Sequence, residues 1–323
     1  MRPMSTGEPS WSFFRTRCRD RLAITGVIVF ASIFPIEFLP SAPTNDGRGT
    51  DGQLSAKQGQ VLLVTVPVEG TPVEVVGRFL ARTVPFFQAP GVGQNGRYLG
   101  LLGLDMEDKP GTHELGIDIN YPDHAKRLSY HVLIFKEKFP TQHLKLPKEK
   151  VDLTEEDLAR VKVEQEQVRV ALSGASPQRL WSGAFIEPVH GHVSGAFGRA
   201  RIINGQQRNP HNGEDIAAPM GTDVLAMNDG VVRLTADHFF SGKGVFLDHG
   251  LGLYSMYFHL AEVLVKDGEP VRRGGVIGKV GATGRASGPH LHLGIKINGA
   301  RVNPYSLLQL PLGEPDKSVS PHG

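Results

Sequence analysis

Two short segments about eighty residues apart constrain this chain more than anything else in it. The first reads Pro210-His211-Asn212-Gly213-Glu214-Asp215-Ile216 and the second Gly288-Pro289-His290-Leu291-His292-Leu293. His290 and His292 are two apart among leucines, so in a strand both imidazoles project from one face. His211 and Asp215 are four apart, which puts both side chains on one side of a helical or an extended segment. The apolar Ile216, Ala217 and Ala218 and the flanking Gly and Pro favour a short strand leaving a turn. A hydrolytic zinc ion takes three protein ligands drawn from His and Asp or Glu and keeps a fourth position for water. Two His and one Asp fit that pattern, and a third element joins them: Tyr257-Phe258-His259-Leu260 sets a histidine in an apolar, aromatic strand, where a buried imidazole needs a partner for each ring nitrogen. Spacing alone leaves open which of His290 and His292 binds a metal and which works beside it.

The sequence around these segments reads as β structure. From Trp181 onward, glycine-rich turns separate short apolar runs such as Gly230-Val231-Val232-Arg233-Leu234, Gly244-Val245-Phe246-Leu247 and Val276-Ile277-Gly278-Lys279-Val280, with no long helical pattern. An antiparallel β domain follows, with ligands on adjacent strands of a groove floor. Upstream, β-branched and aromatic runs at 61–66, 73–76, 98–102 and 128–135 are spaced by Pro, Gly and Asp turns, the pattern of a small β-sandwich. His113, His124, His131 and His143 fall in this region without carboxylate or cysteine partners at ligand spacing, and read as ordinary surface or core histidines. Between them and the second half, residues 152–172 turn helical. Thr154 with Asp157 approximates a capping box, and Leu158, Val161, Val168 and Leu172 form a stripe broken at Gln165. That helix is expected to pack along a domain as a spacer.

The 323 residues suffice for two domains, and the 40% hydrophobic content for packed cores. A formal net charge of +2 gives no electrostatic reason to expect nucleic acid as a partner. Arg15, Arg17, Arg19 and Arg21 precede an apolar run at 22–34, the layout of an export signal. The run is shorter than the roughly 20 residues that span a bilayer, so a cleaved signal is expected, with a marginal membrane anchor as the alternative. The single cysteine, Cys18, precludes a disulfide within the chain.

The half from Phe185 to Leu308 resembles the M23 family of zinc metallopeptidases, the LytM and lysostaphin type. The resemblance rests on Ser194-Gly195-Ala196-Phe197-Gly198-Arg199, His211-x-Gly213-x-Asp215, Ala217-Ala218-Pro219-x-Gly221-Thr222, Asp248-His249-Gly250, Tyr257-x-His259-Leu260, Gly281-x-Thr283-Gly284 and Gly288-Pro289-His290-Leu291-His292, in that order. Gly294 departs from it, standing where many members carry an acidic residue. The upstream β region and helix are more loosely similar to the amino-terminal part of a bacterial M23 subgroup. The resemblance implies a mainly β protein: a signal or anchor at 1–42, a β-sandwich-like domain at 43–150, a helical linker at 151–180, an antiparallel-sheet M23 domain at 181–310 and a tail at 311–323. It implies Zn2+ held by His211, Asp215 and His292, with His290 as general base and His259 orienting the water or stabilising the oxyanion. It implies cleavage of peptidoglycan stem peptides or cross-links in the periplasm or cell envelope, with anchoring to the inner membrane as an option. The competing reading is a non-catalytic regulator of another wall hydrolase; such members have lost metal ligands, and this chain keeps all three. His249 reads as a structural turn residue, His190, His192 and His238 have no matched role, and Asn204 and Asn209 are candidates for the groove lining. Specificity is expected in loops such as 237–243, and the upstream elements are candidates for a cover that restrains activity.

Overall fold

The β-branched runs of the amino-terminal half form one seven-stranded sheet. The computed structural model describes residues 53–89, 96–145 and 153–313. The expected signal or anchor, Cys18, the stretch 43–52 and most of the tail lie outside these residues. In chain order the first strands are β1 (Gln53–Lys57), β2 (Val61–Val68), β3 (Glu74–Phe79), β4 (Arg82–Gln88), β5 (Gly96–Gly103), β6 (Gly111–Asn120) and β7 (Ala125–Phe135), and they lie side by side in the order β1-β7-β6-β3-β4-β5-β2. Proline is rarely found inside a sheet because it cannot donate to the ladder. Pro85 is placed where β4 leaves one partner for the next: it pairs with Val76 of β3, and the following Phe86 pairs with Gly100 of β5. The sheet thus turns over at β4 and encloses a core of Val64, Val66, Phe79, Val84, Leu102, Leu104, Leu115, Ile117, Ile119, Val132 and Ile134.

A short strand, β8 (Thr141–Leu144), leaves this module, and the helix α1 (Glu155–Ala171) follows. The capping box forms: Thr154 Oγ1 accepts from Asp157 N at 3.1 Å, and Asp157 Oδ2 accepts from Thr154 N at 3.2 Å. The packed face differs from the apolar stripe in the sequence. Leu158 is exposed, while Val161, Glu164, Val168 and Ala171 face the protein. Spacings of three, four and three put these on one side of a helix, so a glutamate stands among the packed positions. Arg233 Nε donates to Ala171 O at 3.2 Å and fixes the carboxyl end of the helix.

The second half supplies β9 (His192–Gly195), β10 (Ala200–Ile203), β11 (Gln206–Arg208), β12 (Glu214–Ala217), β13 (Asp223–Leu225), β14 (Gly230–His238), β15 (Gly242–Asp248), β16 (Leu253–Leu260), β17 (Glu262–Val263), β18 (Pro270–Val271), β19 (Val276–Lys279), β20 (His290–Ile297), β21 (Ala300–Val302) and the short helix α2 (Pro304–Leu308). The main sheet runs β18-β14-β15-β16-β20-β12-β9, with β21 added to β20; β13-β19-β17 form a smaller sheet. Strand β10 pairs in parallel with β8, so the first module contributes an edge beside β9–β12.

The two cores meet along β5 and β21. Leu101 and Val61 pack into the second core with Ile297, Ala300 and Val302. A side chain at Gly103 would lie 3.1 Å from Ala300 Cβ and Val302 Cγ1, which explains the glycine there. Arg301 clamps the junction, with Nη2 2.8 Å from Asp105 Oδ1 and 2.7 Å from Glu107 Oε2, while its backbone N donates to Asp105 Oδ2 at 2.7 Å.

Candidate metal centre

Strand register brings the two histidine segments together. On one side of β20, Asp215 is the partner of His292 and Ala217 of His290; on the other side, Phe258 of β16 is the partner of His292. Residues paired across a ladder share a face, as do residues two apart, so Asp215, His290 and His292 all point into one groove. His211 precedes β12 and reaches the same spot through Gly213, whose missing side chain matters. A Cβ there would lie 2.6 Å from His292 Nε2, and one at Gly195 would press on the Asp215 carboxylate, 2.9 Å from its Cγ.

Three ligand atoms converge: His211 Nε2 is 2.9 Å from Asp215 Oδ1 and 3.0 Å from His292 Nδ1, and the latter is 2.8 Å from the same carboxylate oxygen. The other nitrogen of His211, Nδ1, donates to Ala196 O at 3.0 Å, so Nε2 turns its lone pair inward. Two imidazole nitrogens and a carboxylate oxygen then face each other, and a proton or a cation must lie among them. A tetrahedral ion with bonds of about 2.0–2.1 Å spaces its ligands by about 3.3 Å, so shifts of a few tenths of an ångström admit one. The His211 side chain is 4% exposed, whereas those of Asp215, His290 and His292 keep 10–14%, so the centre is buried on one side and open to the groove on the other.

Burial works against the charge of Asp215, but the His211 and His292 rings against its carboxylate outweigh it and hold the carboxyl well below the usual range. Burial pushes His292 down, so its ring favours the neutral form a metal requires. His292 also stacks on Phe258, with centroids 5.7 Å apart.

His290 and His259 flank the cluster. His290 Nδ1 donates to Gly288 O at 2.7 Å, leaving Nε2 3.7 Å from Asp215 Oδ1. In a regular pleat, Phe258 and His259 would face opposite ways. His259 instead has a φ of 63°, a left-handed conformation uncommon for a residue with a side chain, and its ring comes to 4.7 Å from that of His290 and 6.0 Å from that of His292. Its Nδ1 donates to Thr283 O at 2.9 Å. Burial first, and then the charges of His292 and His290, push its pKa down to about 4.

The remaining histidines lie elsewhere. His249 is fully buried below the groove, with Nδ1 2.7 Å from Asp229 O and Nε2 2.7 Å from Ser255 Oγ, so it carries a hydrogen-bond network and is no part of the cluster. His238 is buried against Phe246. His190 is exposed 3.7 Å from Glu187, and His192 is exposed on β9. His113 donates to Lys109 O, His124 stacks on Tyr121, and His131 and His143 are exposed in the first module. Asn204, at φ 51°, forms the exposed turn between β10 and β11, and Asn209 is exposed two residues before His211. A side chain at Gly294 would meet Met256 Cε at 3.0 Å, so an acidic residue there would have to displace that methionine. Ala196, Thr283 and Gly288 lie within recognised motifs, but nothing there announces that their carbonyls, with that of Ser241, orient the histidines, because a backbone acceptor carries no residue code.

The family description "Peptidase family M23" matches residues 209–304, which span both histidine segments. Over 94 residues the chain is 47% identical to peptidoglycan DD-endopeptidase ShyA of Vibrio cholerae, and the match covers 29% of this chain and 22% of that protein. It is 41% identical over 126 residues to DD-carboxypeptidase/endopeptidase Mpg of Neisseria meningitidis, covering 39% of this chain and 29% of the relative. The matched part is thus under a third of either relative's length. A crystal structure from Pseudomonas aeruginosa described as a peptidase M23 superposes with a TM-score of 0.60 at 32% identity, covering 78% of this chain and 94% of its own. That superposition takes in most of the chain and nearly all of the other structure, and with it the chain belongs to the M23 peptidase family.

Proposed function

We propose that this protein is a zinc-dependent endopeptidase that hydrolyses amide bonds in peptidoglycan stem peptides or cross-links, outside the cytoplasm. The observation that carries the reading is the convergence of His211 Nε2, His292 Nδ1 and Asp215 Oδ1 within 3.0 Å of one another, with a third imidazole, that of His290, at their edge. The relative named as a peptidoglycan DD-endopeptidase supports the substrate class. The complete donor set favours hydrolysis over a regulatory role. Among the described residues no helix is long and apolar enough to cross a membrane.

In this reading His211, Asp215 and His292 hold the metal. A bound Zn2+ supplies Lewis-acid polarisation of the scissile carbonyl and a water acidified to near-neutral pKa. His290 acts as general base: its Nδ1 proton is committed to Gly288 O, so Nε2 presents a lone pair toward the cluster. His259 is neutral at pH 7, and its proton is committed to Thr283 O. It therefore also presents an acceptor at Nε2, which suits orienting the water better than donating to an oxyanion. Gly195 and Gly213 keep side chains away from Asp215 and His292, so the two ligands can approach each other.

The test is a digest of purified peptidoglycan and defined cross-linked muropeptides, with and without a zinc chelator, beside His292→Ala, read by mass spectrometry. Chelator-sensitive release of peptides with new amine and carboxyl ends is expected. Intact substrate after incubation with protein carrying one equivalent of zinc would overturn the reading.

A further inference from the structure

Helix α1 carries a glutamate on its packed face, and we infer that Glu164 is a positioning residue for His259. It acts through the tip of the β14–β15 hairpin, and the inference rests on the reading of His259 as a working part of the metal centre. The Glu164 side chain is 13% exposed, and both carboxylate oxygens accept from Phe239 N, at 3.0 and 2.9 Å. Arg160, one turn earlier, closes the clamp. Its Nε donates to Glu164 Oε1 at 2.7 Å, its Nη2 donates to Asp237 O at 3.0 Å, and its guanidinium lies 5.8 Å from the centre of the Phe239 ring. Helix and hairpin are far apart in the chain; Arg233 of β14 holds the carboxyl end of the helix, and these bonds tie its middle to the tip of the same hairpin.

The held tip is what supports His259. Ser241 O accepts from His259 N at 2.9 Å, the bond that fixes the backbone of this residue at its left-handed φ of 63°. Such a conformation persists only where the surroundings over-determine it. Phe240 O accepts from Arg285 N at 2.8 Å, and Lys243 N donates to Thr283 Oγ1 at 3.0 Å. Thr283 in turn donates through Oγ1 to Leu260 O at 2.8 Å and accepts the His259 ring proton at its carbonyl. The tip and the segment around Thr283 touch without room for a side chain: a Cβ on Gly284 would sit 2.7 Å from Gly242 Cα and from Phe240 O. From Glu164 to the imidazole the chain of contacts is therefore Phe239, the tip, Thr283 and His259, with the backbone and the ring of His259 each held once. A hairpin tip is ordinarily among the first parts of a fold to open. The carboxylate on its first amide is what keeps this one closed.

The experiment compares the full chain with Glu164→Ala, Glu164→Gln and Thr154→Ala. Glu164→Ala is expected to lower kcat roughly tenfold or more, with KM within about twofold and one equivalent of zinc retained. Glu164→Gln still offers an amide oxygen to Phe239 N and should keep most of kcat. Thr154→Ala removes the cap of the same helix, so it lowers Tm and leaves kcat in place. Amide hydrogen exchange by NMR is the readout independent of turnover: the His259 amide should exchange about tenfold faster or more in Glu164→Ala alone. If the wild-type chain cleaves no peptidoglycan, the hydrolase reading fails and the exchange rates still decide this one. Unchanged His259 exchange in Glu164→Ala, kcat equal to that of the wild type, or Gln as damaging as Ala would overturn it.

Discussion

Asp215 and His292 are register partners on adjacent antiparallel strands, and their side chains meet at 2.8 Å between Oδ1 and Nδ1. A one-residue slip of β12 against β20 would turn Asp215 to the opposite face. Sheet register therefore sets the Asp215–His292 pair of the candidate metal centre, and His211 joins it from the segment just before β12. His292→Ala is expected to keep the β fold by circular dichroism while metal content falls from one equivalent to background, with a loss of activity beyond the roughly 10–100-fold that outer partners of a metal site cost. Retention of one tightly held equivalent would show that the metal lies elsewhere.

Gly213 tests the same packing from the other side. An added Cβ would stand 2.6 Å from His292 Nε2 and would also crowd the Leu293 carbonyl. Neither neighbour is the free end of a flexible chain, so β20 must shift. Gly213→Ala should weaken zinc about 10–100-fold in chelator competition and cost about 1–3 kcal/mol in urea unfolding. Unchanged affinity would mean that the strand yields without moving the ligand.

His249 gives the protein a defined response to acid. Its ring is fully buried, and burial pushes its pKa down to about 4, against which the Asp229 carbonyl acts only partly. The ring sits in a closed network: Met227 N donates to Tyr257 OH at 3.0 Å, Ser255 Oγ donates to the same oxygen at 2.8 Å, His249 Nε2 lies 2.7 Å from Ser255 Oγ, and His249 Nδ1 donates to Asp229 O. The unfolded chain takes a second ring proton near pH 6.5 and the native state only near pH 4, so the native state loses stability as pH falls through this window, by about 3 kcal/mol in all. Asp105 adds in the same direction: burial alone would raise it, but the bonds from Arg301 and Glu107 N lower it, and the stability this supplies above the unfolded carboxylate pKa fades as pH falls. Urea unfolding at pH 7 and pH 5 should show the loss, and the His249 ring signal in NMR should titrate below pH 5. A midpoint near 6.5 would refute the assignment.

The cluster was legible in the sequence because strands have a period of two and His290-x-His292 uses it. Once β12 is set beside β20, Asp215 falls into place. The expected strands at 61–66, 98–102 and 128–135 lie within β2, β5 and β7. Strand β4 was hidden by Pro85, which reads as a break until its position between two partners is known. The orientation of His259 was not legible either. A left-handed φ at a histidine follows from the Ser241 carbonyl and from Thr283, contacts between distant segments that no local pattern announces. The role of Glu164 was not legible for a related reason: a charged residue on a helix reads as solvated face until its acceptors are seen to meet Phe239 N.

The junction of the two modules supplies the last expectation. Arg301 belongs to β21, directly beside the strand that carries His290 and His292, and its guanidinium and backbone N hold Asp105 of the first module. The Asp105 side chain is 10% exposed and that of Arg301 31%, so the pair is screened less than a surface bridge but more than a fully buried one. Charged hydrogen bonds in such a setting contribute about 1.5–3 kcal/mol, and removing one partner leaves the other desolvated. Asp105→Ala should therefore destabilise the chain by about 2–3 kcal/mol. Arg301→Lys should recover only a minor part, because an ammonium cannot reproduce the forked contact to Asp105 and Glu107. A double-mutant cycle of Asp105→Ala with Arg301→Ala should return a coupling of at least about 1 kcal/mol. Strictly additive single and double variants would show that apolar packing around Gly103 holds the modules together and that the ion pair contributes nothing.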